Sequence, residues 1–256
     1  MEGHRARKRF SQNFLHDAVA IDRILGAIDP RPGEAIFEIG PGLGAITAPL
    51  VAAAGSVTAI EIDRDLAARL RTRFVPEQLR LLEGDALALD WAAVLAPGGA
   101  RIVGNLPYNV STPLLFALLP VAGLVRDQHF MLQKEVVDRM ASPPGGREYG
   151  RLSVMLQQRY RVDSLFDVPP ECFSPAPAVT SSIVRMRPRP AGELSGVDGE
   201  AFARVVTAAF SQRRKTLRNA LSSVLDEAAI RKAGIDPGAR AETLDYQAFE
   251  RLAALA

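Results

Sequence analysis

"FEIGPGLGAIT" (residues 37–47) joins an apolar run with strand character to a segment with helical spacing. Gly40, Gly42 and Gly44 occupy the connection, where a missing side chain lets the backbone turn sharply and approach a ligand closely. Taken alone these glycines are weak evidence, because glycine in a strand-to-helix turn is often only turn chemistry. The stretch nevertheless marks a candidate ligand-binding turn after the first strand of a larger sheet.

Short apolar runs alternate with helical patterns on both sides of this turn. The alternation predicts an α/β fold with a Rossmann-like, mostly parallel sheet and helices on both of its faces. Ligands in such folds bind beyond the carboxyl ends of the strands, so the residues that end each run are the candidates for a site. The runs are "AIFEIG" (35–40), "SVTAIEID" (56–63), "LRLLEGD" (79–85), "RIVGNLPY" (101–108) and "QHFMLQ" (128–133).

Two Pro- and Gly-rich stretches suggest how the chain is divided. "MASPPGGREYG" (140–150) is typical of a mobile loop, and "RPRPAGELSGVDGE" (187–200) of a linker. Beyond the linker the spacing of apolar residues is helical, with little strand signal. We therefore expect a domain over residues 1–190 with a basic N-terminal arm, followed by a small all-helical domain over residues 191–256.

Composition limits the kinds of protein that this can be. The chain has 256 residues, a formal net charge of +2 and a single cysteine, Cys172, which excludes an intramolecular disulfide. The N-terminus "MEGHRARKRF" lacks the apolar segment of a secretory signal, and no apolar run approaches the length of a membrane span. We expect a cytoplasmic protein with no membrane partner and no metal site.

Carboxylates end the next two runs. The loop reads G-x-G-x-G, which misses the dinucleotide pattern G-x-G-x-x-G by one residue, while Glu61 ends the second run where a carboxylate can accept hydrogen bonds from ribose hydroxyls. A ligand with a ribose and no diphosphate fits both facts, and S-adenosylmethionine is such a ligand. Asp85 ends the third run, where it is equally suited to bind an adenine amine or to cap a helix.

"NLPY" (105–108) ends the fourth run with an amide, a proline and an aromatic ring. The side-chain carbonyl of Asn105 and the backbone carbonyl of Leu106, which Pro107 holds extended, can accept hydrogen bonds from an exocyclic amine. The ring of Tyr108 offers a face on which a base can stack. The alternative is an ordinary strand-to-helix turn with Ser111 as the helix cap.

Several motifs in this order resemble the ribosomal RNA adenine N6-dimethyltransferases, and most closely the bacterial type that methylates two adjacent adenines near the 3′ end of 16S rRNA in the small subunit. The resemblance covers nearly the whole chain. It is carried, besides the glycine turn, by "KRFSQNFLHD" (8–17), "EIDRDLAARL" (61–70), "GNLPYNVSTPLL" (104–115), "HFMLQKEVVDRM" (129–140), "YGRLSVM" (149–155) and "FSPAPAVTSSIV" (173–184).

The resemblance implies roles for individual residues. It implies an S-adenosylmethionine-binding set and a segment, Asn105 to Tyr108, that holds the target adenine. Phe173 is implied as a second aromatic wall for a flipped base, although packing against the neighbouring prolines also explains it. Together with the glycine turn, the implied cofactor set is Asn13, Leu15, Gly40, Gly42, Glu61, Asp85 and Asn105.

The choice of RNA is less sharply defined by the sequence. Ser11 stands where the small-subunit enzymes more often have glycine, and serine there is similar to antibiotic-resistance relatives that methylate large-subunit rRNA. A ribosome-assembly factor whose methylation is secondary is a further alternative. The motifs over residues 129–155 and the long C-terminal part resemble the small-subunit enzymes more.

Basic residues after the linker suggest a contact with RNA. The stretch "FSQRRKTLRNAL" (210–221) places four cations near the start of a helical pattern, as phosphate-binding surfaces do, although a solvated helix face would look the same. We expect a monomer whose substrate is 16S rRNA within the small subunit or its precursor. The candidate RNA-binding residues are Arg213, Arg214, Lys215 and Arg218.

Overall fold

The structure, a computed structural model, describes residues 13–95, 99–212 and 214–256. Within these ranges the strands are β1 (Phe14–Leu15), β2 (Ile36–Ile39), β3 (Val57–Glu61), β4 (Leu79–Glu83), β5 (Ala100–Asn105), β6 (Val125–Gln133), β7 (Tyr160–Val168), β8 (Phe173–Ser174) and β9 (Ser181–Pro188).

Seven of the strands form the main sheet in the order β4-β3-β2-β5-β6-β9-β7. Strands β2 to β6 pair in parallel with their neighbours, whereas β9 runs antiparallel to β6. The short strands β1 and β8 form a separate antiparallel pair. The predicted mostly parallel sheet is confirmed, and the carboxyl ends of β2, β3, β4 and β5 meet at one edge.

The helices of the described residues connect and follow these strands. Most begin at an aspartate whose carboxylate accepts a hydrogen bond from a backbone amide of the first turn, as at Asp17, Asp63 and Asp90. The helices are α1 (Ala18–Ile28), α2 (Thr47–Ala54), α3 (Arg64–Arg73), α4 (Trp91–Val94), α5 (Ser111–Ala117), α6 (Lys134–Ala141), α7 (Arg151–Arg159), α8 (Gly199–Phe210), α9 (Leu217–Ala220), α10 (Glu227–Lys232) and α11 (Tyr246–Ala253).

Burial explains why the central strands have continuous apolar runs. All four residues of β2 are buried, and Ile102 and Val103 of β5 are fully buried, because helices cover both faces of a parallel sheet. Burying one such aliphatic side chain contributes roughly 1.5–3 kcal/mol to folding. Gly104 of β5 is required for close strand packing, since a Cβ there would lie 2.6 Å from the backbone oxygen of Ile39.

A buried ion-pair network lies at the opposite end of β5. Arg101 is 4% exposed and pairs with Asp127 at 2.9 Å and with Glu34 at 2.9 Å. Burial alone would raise the pKa of Asp127, but the imidazole of His129, 3.5 Å away, and the hydrogen-bonded guanidinium of Arg101 outweigh it and lower that pKa to about 2. Arg101 therefore stays charged with its partners ionised, and the network joins β5 to β6.

The chain divides into two compact units, and each is discontinuous in sequence. The first contains the described residues up to Val137 together with Asp163–Pro188, and the second contains Asp138–Val162 together with Arg189–Ala256. The first unit ends at Pro188, whereas the expected boundary was residue 190. The expected assignment of residues 138–162 to the N-terminal domain differs from this division.

Hydrogen bonds inside the second unit give the reason. The hydroxyl of Tyr149 donates to the backbone oxygen of Leu244 at 2.8 Å, and the amide of Gly145 donates to the backbone oxygen of Glu242 at 2.7 Å. Helix α7 also packs against α8 and α11. The stretch read as a loop is thus bonded to the C-terminal part of the chain. From residue 191 onward the described regular elements are all helical.

Candidate active site

A cavity of about 190 Å³ opens at the carboxyl edge of the sheet in the first unit. Its walls come from the N-terminal strand β1, from the turns that follow β2, β3, β4 and β5, and from β8. Every residue predicted to bind S-adenosylmethionine or the target adenine lines it. These residues are Asn13, Leu15, Gly40, Gly42, Glu61, Asp85, Asn105, Leu106, Pro107, Tyr108 and Phe173.

The glycine turn has the backbone shape that its sequence predicts. Gly40 and Gly42 have φ values of 67° and 59°, in the left-handed region that side chains other than glycine rarely adopt. A Cβ on Gly42 would lie 3.5 Å from the ring of Phe14, and one on Gly40 would lie 3.9 Å from the backbone oxygen of Asn105. The turn therefore lies close to both the β1 strand and the end of β5.

Glu61 connects this turn to the end of β3. Its Oε2 accepts a 3.0 Å hydrogen bond from the amide of Gly42, and its Oε1 accepts a 2.9 Å bond from the amide of Asp63. The residue is 4% exposed, and burial raises the pKa of its carboxyl group. Each oxygen has a second lone pair, so the carboxylate can still accept hydrogen bonds from two ligand hydroxyls.

Asp85 does not cap a helix. Its Oδ1 accepts a 2.9 Å hydrogen bond from the amide of Leu87 and closes a local turn, while the next helix, α4, is capped by Asp90. Of the two readings of Asp85, the helix cap is therefore wrong. The side chain is exposed at the cavity wall, where its second oxygen can accept a hydrogen bond from a ligand amine.

The Asn105 amide is oriented by the N-terminal segment. Its Nδ2 donates to the backbone oxygen of Asn13 at 3.3 Å, which turns Oδ1 away from that carbonyl. The next residue, Leu106, is buried, and its amide donates to the backbone oxygen of Met131 at 3.2 Å. The carbonyls of Asn105 and Leu106 that could hold an amine are thus carried on a fixed backbone at the end of β5.

Tyr108 is half-buried, and its hydroxyl lies 2.9 Å from the hydroxyl of Ser181. Its backbone oxygen accepts a 3.1 Å bond from the hydroxyl of Ser111. The alternative reading, an ordinary turn with Ser111 as the helix cap, does not match this geometry, because the residue at the cap of α5 is Val110 and no side chain caps the helix. Ser111 instead bonds back to the loop and secures Tyr108 from a second side.

Phe173 reaches the cavity through the β1–β8 pair. It lies opposite Leu15 in that pair, is 4% exposed, and belongs to the core cluster that also contains Met131 and Ile183. Packing in this core cluster, and not against the neighbouring prolines alone, therefore accounts for the burial of Phe173. The remaining part of the residue lines the same cavity as Tyr108.

Three apolar cavity residues were missed by sequence reasoning. Leu43, Ile62 and Leu87 are large, apolar and 40%, 46% and 38% exposed, which is unusual for such side chains unless they contact something. Each lies in a turn beside a predicted ligand residue: in the glycine turn, directly after Glu61, and two residues after Asp85. For Ile62 and Leu87, an apolar residue just after a strand-ending carboxylate was a signal that could have identified them.

The basic cluster lies in the second unit. Arg213 lies outside the described residues. Arg214 and Lys215 are exposed before the short helix α9, and Arg218 within α9 pairs with Glu227 at 3.0 Å. This surface ion pair offsets part of the charge of Arg218, so Arg214 and Lys215 are the stronger candidates for contacts with phosphate.

The sheet order, with an antiparallel strand beside the parallel ones and a glycine turn at the carboxyl edge, defines a class I methyltransferase. Two solved structures share this fold. A dimethyladenosine transferase from Plasmodium falciparum superposes with a TM-score of 0.78 and 25% identity, covering 93% of this chain and 95% of that one. The 23S rRNA methyltransferase ErmE gives a TM-score of 0.73 and 27% identity, with 95% and 99% covered.

The sequence matches the family model described as ribosomal RNA adenine dimethylase over residues 3–256. Ribosomal RNA small subunit methyltransferase A of Aromatoleum aromaticum is 60% identical over 252 residues, covering 97% of this chain and 94% of that protein. Its namesake from Dechloromonas aromatica is 51% identical, covering 99% and 98%. The chain belongs to the ribosomal RNA adenine dimethylase family. The predicted family, enzyme class and S-adenosylmethionine dependence are confirmed.

Within residues 13–95, 99–212 and 214–256, no helix has both the length and the apolar character that crossing a membrane requires.

Proposed function

We propose that this chain transfers methyl groups from S-adenosylmethionine to the N6 atoms of two adjacent adenines near the 3′ end of 16S rRNA, giving N6,N6-dimethyladenine. The observation that carries the proposal is the fixed orientation of Asn105, whose Nδ2 is bonded to Asn13 at the edge of the cavity. With the amide held this way, Oδ1 is the atom that faces an incoming amine as an acceptor.

The residues at the cavity suit the proposed cofactor. Glu61 presents a buried carboxylate whose position is fixed by two backbone amides, which suits a pair of ribose hydroxyls. The exposed side chains of Leu43, Ile62 and Leu87 provide apolar surface for a purine ring, and Asp85 provides an acceptor for its amine. Asn13, Leu15, Gly40 and Gly42 complete the proposed cofactor set. When bound, S-adenosylmethionine supplies an electrophilic methyl group.

Positioning accounts for most of the chemistry that the protein must perform. The exocyclic amine of adenine is a poor nucleophile because its lone pair is delocalised into the ring. Hydrogen bonds from that amine to Asn105 Oδ1 and to the Leu106 carbonyl favour a more tetrahedral nitrogen, and Pro107 keeps the Leu106 carbonyl in place. Tyr108 provides a stacking face and Phe173 an apolar wall for the flipped base.

No strong general base is needed for this reaction. The nitrogen becomes cationic as it gains a methyl group, and it then loses a proton readily to water. None of the described residues that line the cavity is a histidine, lysine or cysteine. The protein's contribution is to exclude water, orient the base and accept hydrogen bonds from the attacking amine.

The small-subunit substrate is favoured over the large-subunit alternative by the similarity of the whole chain. The two relatives called small subunit methyltransferase A are 60% and 51% identical, whereas ErmE, which acts on 23S rRNA, is 27% identical. Serine at position 11 does not outweigh this difference. We assign the activity to the cytoplasm, where the small subunit is assembled, and we expect a monomer.

The helical residues 191–256 are assigned a contribution to rRNA binding. Arg214 and Lys215 are exposed cations, and Arg213 and Arg218 belong to the same stretch of sequence. Such contacts to phosphate add affinity without reading sequence, which suits a substrate recognised as a folded particle.

The decisive experiment is nucleoside mass spectrometry after incubation with labelled S-adenosylmethionine. Small subunits that lack the two dimethyladenines and free 23S rRNA are offered as separate substrates. We expect labelled N6,N6-dimethyladenosine from the 3′ fragment of 16S rRNA and background labelling of 23S rRNA. Labelling confined to 23S rRNA would contradict the assignment of substrate.

A further inference from the structure

The contact between Tyr108 and Ser181 joins two parts of the chain that are far apart in sequence. Tyr108 follows β5, whereas Ser181 is the first residue of β9 and lies opposite Gln133, the last residue of β6. Because β9 is antiparallel to β6, it begins at the edge where the parallel strands end. The two hydroxyl oxygens are 2.9 Å apart at this edge.

The Ser181 side is rigid. The residue is 1% exposed and its backbone lies within the β6–β9 ladder, so its hydroxyl has little freedom to follow a moving partner. Tyr108 is half-buried on a turn, where rotation about its side-chain bonds would change the direction of the ring. The bond therefore fixes the orientation of the tyrosine ring with reference to the sheet.

We propose that Ser181 is a positioning residue for the methyl transfer, which holds the ring of Tyr108 in the plane on which the target adenine stacks. This inference rests on the proposed function. A ring that is already oriented lets the base enter with less loss of conformational freedom and keeps its amine aligned with Asn105 and Leu106. Without the bond, the adenine still binds, but its amine is more often misaligned with the acceptors on Asn105 and Leu106.

The test is a double-mutant cycle of Ser181→Ala and Tyr108→Phe. The rate is measured in single turnovers with saturating S-adenosylmethionine and small subunits that lack the two dimethyladenines. A neutral hydrogen bond has a net worth of about 1 kcal/mol, so each single variant is expected to lower the rate by about three- to tenfold. The double variant should be no slower than the slower single variant, because both changes remove the same bond.

Ser182 provides the matched control. It is the next residue of β9, is fully buried, and its hydroxyl bonds to Asp167 of β7 instead of to the tyrosine. Ser182→Ala removes a buried hydroxyl of the same kind and should lower the melting temperature without changing the single-turnover rate. Ser181→Thr, which keeps a hydroxyl, should recover most of the rate lost in Ser181→Ala.

A wild-type rate in Ser181→Ala, or losses that multiply in the double variant, would overturn the positioning role. S-adenosylmethionine affinity, measured by calorimetry, should be unchanged in all of these variants, and a parallel loss of affinity would also count against it. If Ser181→Ala does not fold, Tyr108→Phe still tests the positioning role, because it removes the other hydroxyl of the same hydrogen bond.

One further variant separates this inference from the function on which it rests. Tyr108→Ala removes the whole stacking face and should lower the rate far more than Tyr108→Phe. If Tyr108→Ala methylates normally, the proposed adenine clamp itself is wrong. If Tyr108→Ala is strongly impaired while Ser181→Ala is not, the clamp stands and only the role of Ser181 fails.

Discussion

The amide nitrogen of Gly42 lies 3.0 Å from Oε2 of Glu61, so the glycine turn after β2 is hydrogen-bonded to the carboxylate that ends β3. The other oxygen of the same carboxylate accepts from Asp63, at the start of α3. Three segments therefore meet at one buried side chain. The position of that side chain is fixed before any ligand binds, which is the condition for a well-aligned binding site.

Glu61→Ala is expected to weaken S-adenosylmethionine binding by about 10- to 100-fold, because hydrogen bonds to a charged group are each worth about 1.5–3 kcal/mol. Isothermal titration calorimetry measures the change. Glu83→Ala is the control, since Glu83 ends the neighbouring strand at the paired position and bonds on the surface to Arg71. If both variants bind S-adenosylmethionine with wild-type affinity, the assignment of Glu61 to the cofactor site is contradicted.

Gly104→Ala is expected to destabilise the fold by about 1–3 kcal/mol or more, because the new Cβ would lie 2.6 Å from the backbone oxygen of Ile39 and push β5 from β2. Urea unfolding measures the loss. Gly26→Ala is the matched control: Gly26 lies within α1, nothing lies within 4 Å of the new Cβ, and alanine should stabilise that helix by about 0.5–1 kcal/mol. Equal effects at the two positions would refute the packing argument.

Asp127 should make the unfolding free energy depend on pH in the acid range. Its pKa is about 2 in the folded protein against an ordinary value of 3.8, so its ionised form stabilises the fold above pH 4. That contribution, about 2 kcal/mol, is expected to disappear as the pH falls from 4 towards 2.

Asp127→Asn checks this expectation. At pH 7 the variant should be less stable than the wild type, because it leaves the buried Arg101 without its anionic partner. As the pH falls and Asp127 becomes protonated in the wild type, the difference between the two proteins should shrink. A difference that stays constant from pH 7 to pH 2 would exclude this role for the pair.

Reversing the charge of Arg214 and Lys215 is expected to weaken binding to the small subunit and to flatten its dependence on salt. Each lost phosphate contact should lower the slope of log K against log salt by about 0.7–0.9. Filter binding at several salt concentrations measures the slope. Lys232 is an exposed residue of α10, and Lys232→Glu is the control for a general effect of charge. If this variant changes the salt slope equally, Arg214 and Lys215 are ordinary solvated residues and not a phosphate-binding surface.

The sequence was sufficient to locate the cavity, because parallel strands place their carboxyl ends together. Once the runs ending at Gly40, Glu61, Asp85 and Asn105 are recognised as strands of one sheet, their terminal residues must meet at its carboxyl edge. This inference needs only the strand pattern and the direction of the chain. The apolar residue Ile62 was missed because one exposed side chain in a turn leaves no periodic signal, and its position directly after Glu61 is the only sequence cue to it.

Contacts that depend on distant segments were decided by the tertiary structure alone. Strand pattern predicts that Tyr108 follows a strand end, but it cannot say that its hydroxyl meets that of Ser181, which begins β9. Likewise, the stretch over residues 140–150 has the composition of a mobile loop, yet Tyr149 bonds to Leu244 and places this stretch with the C-terminal unit.

The sequence by itself therefore determined the class of fold and the edge of the sheet at which the candidate cavity opens, because both follow from local periodicity and from which residues end each strand. Only the tertiary structure decided how Asn13 orients Asn105 and which serine faces the tyrosine. Those contacts join residues that are separated by more than 70 positions, and their geometry is fixed by side-chain packing, which leaves no trace in the spacing of residues along the chain.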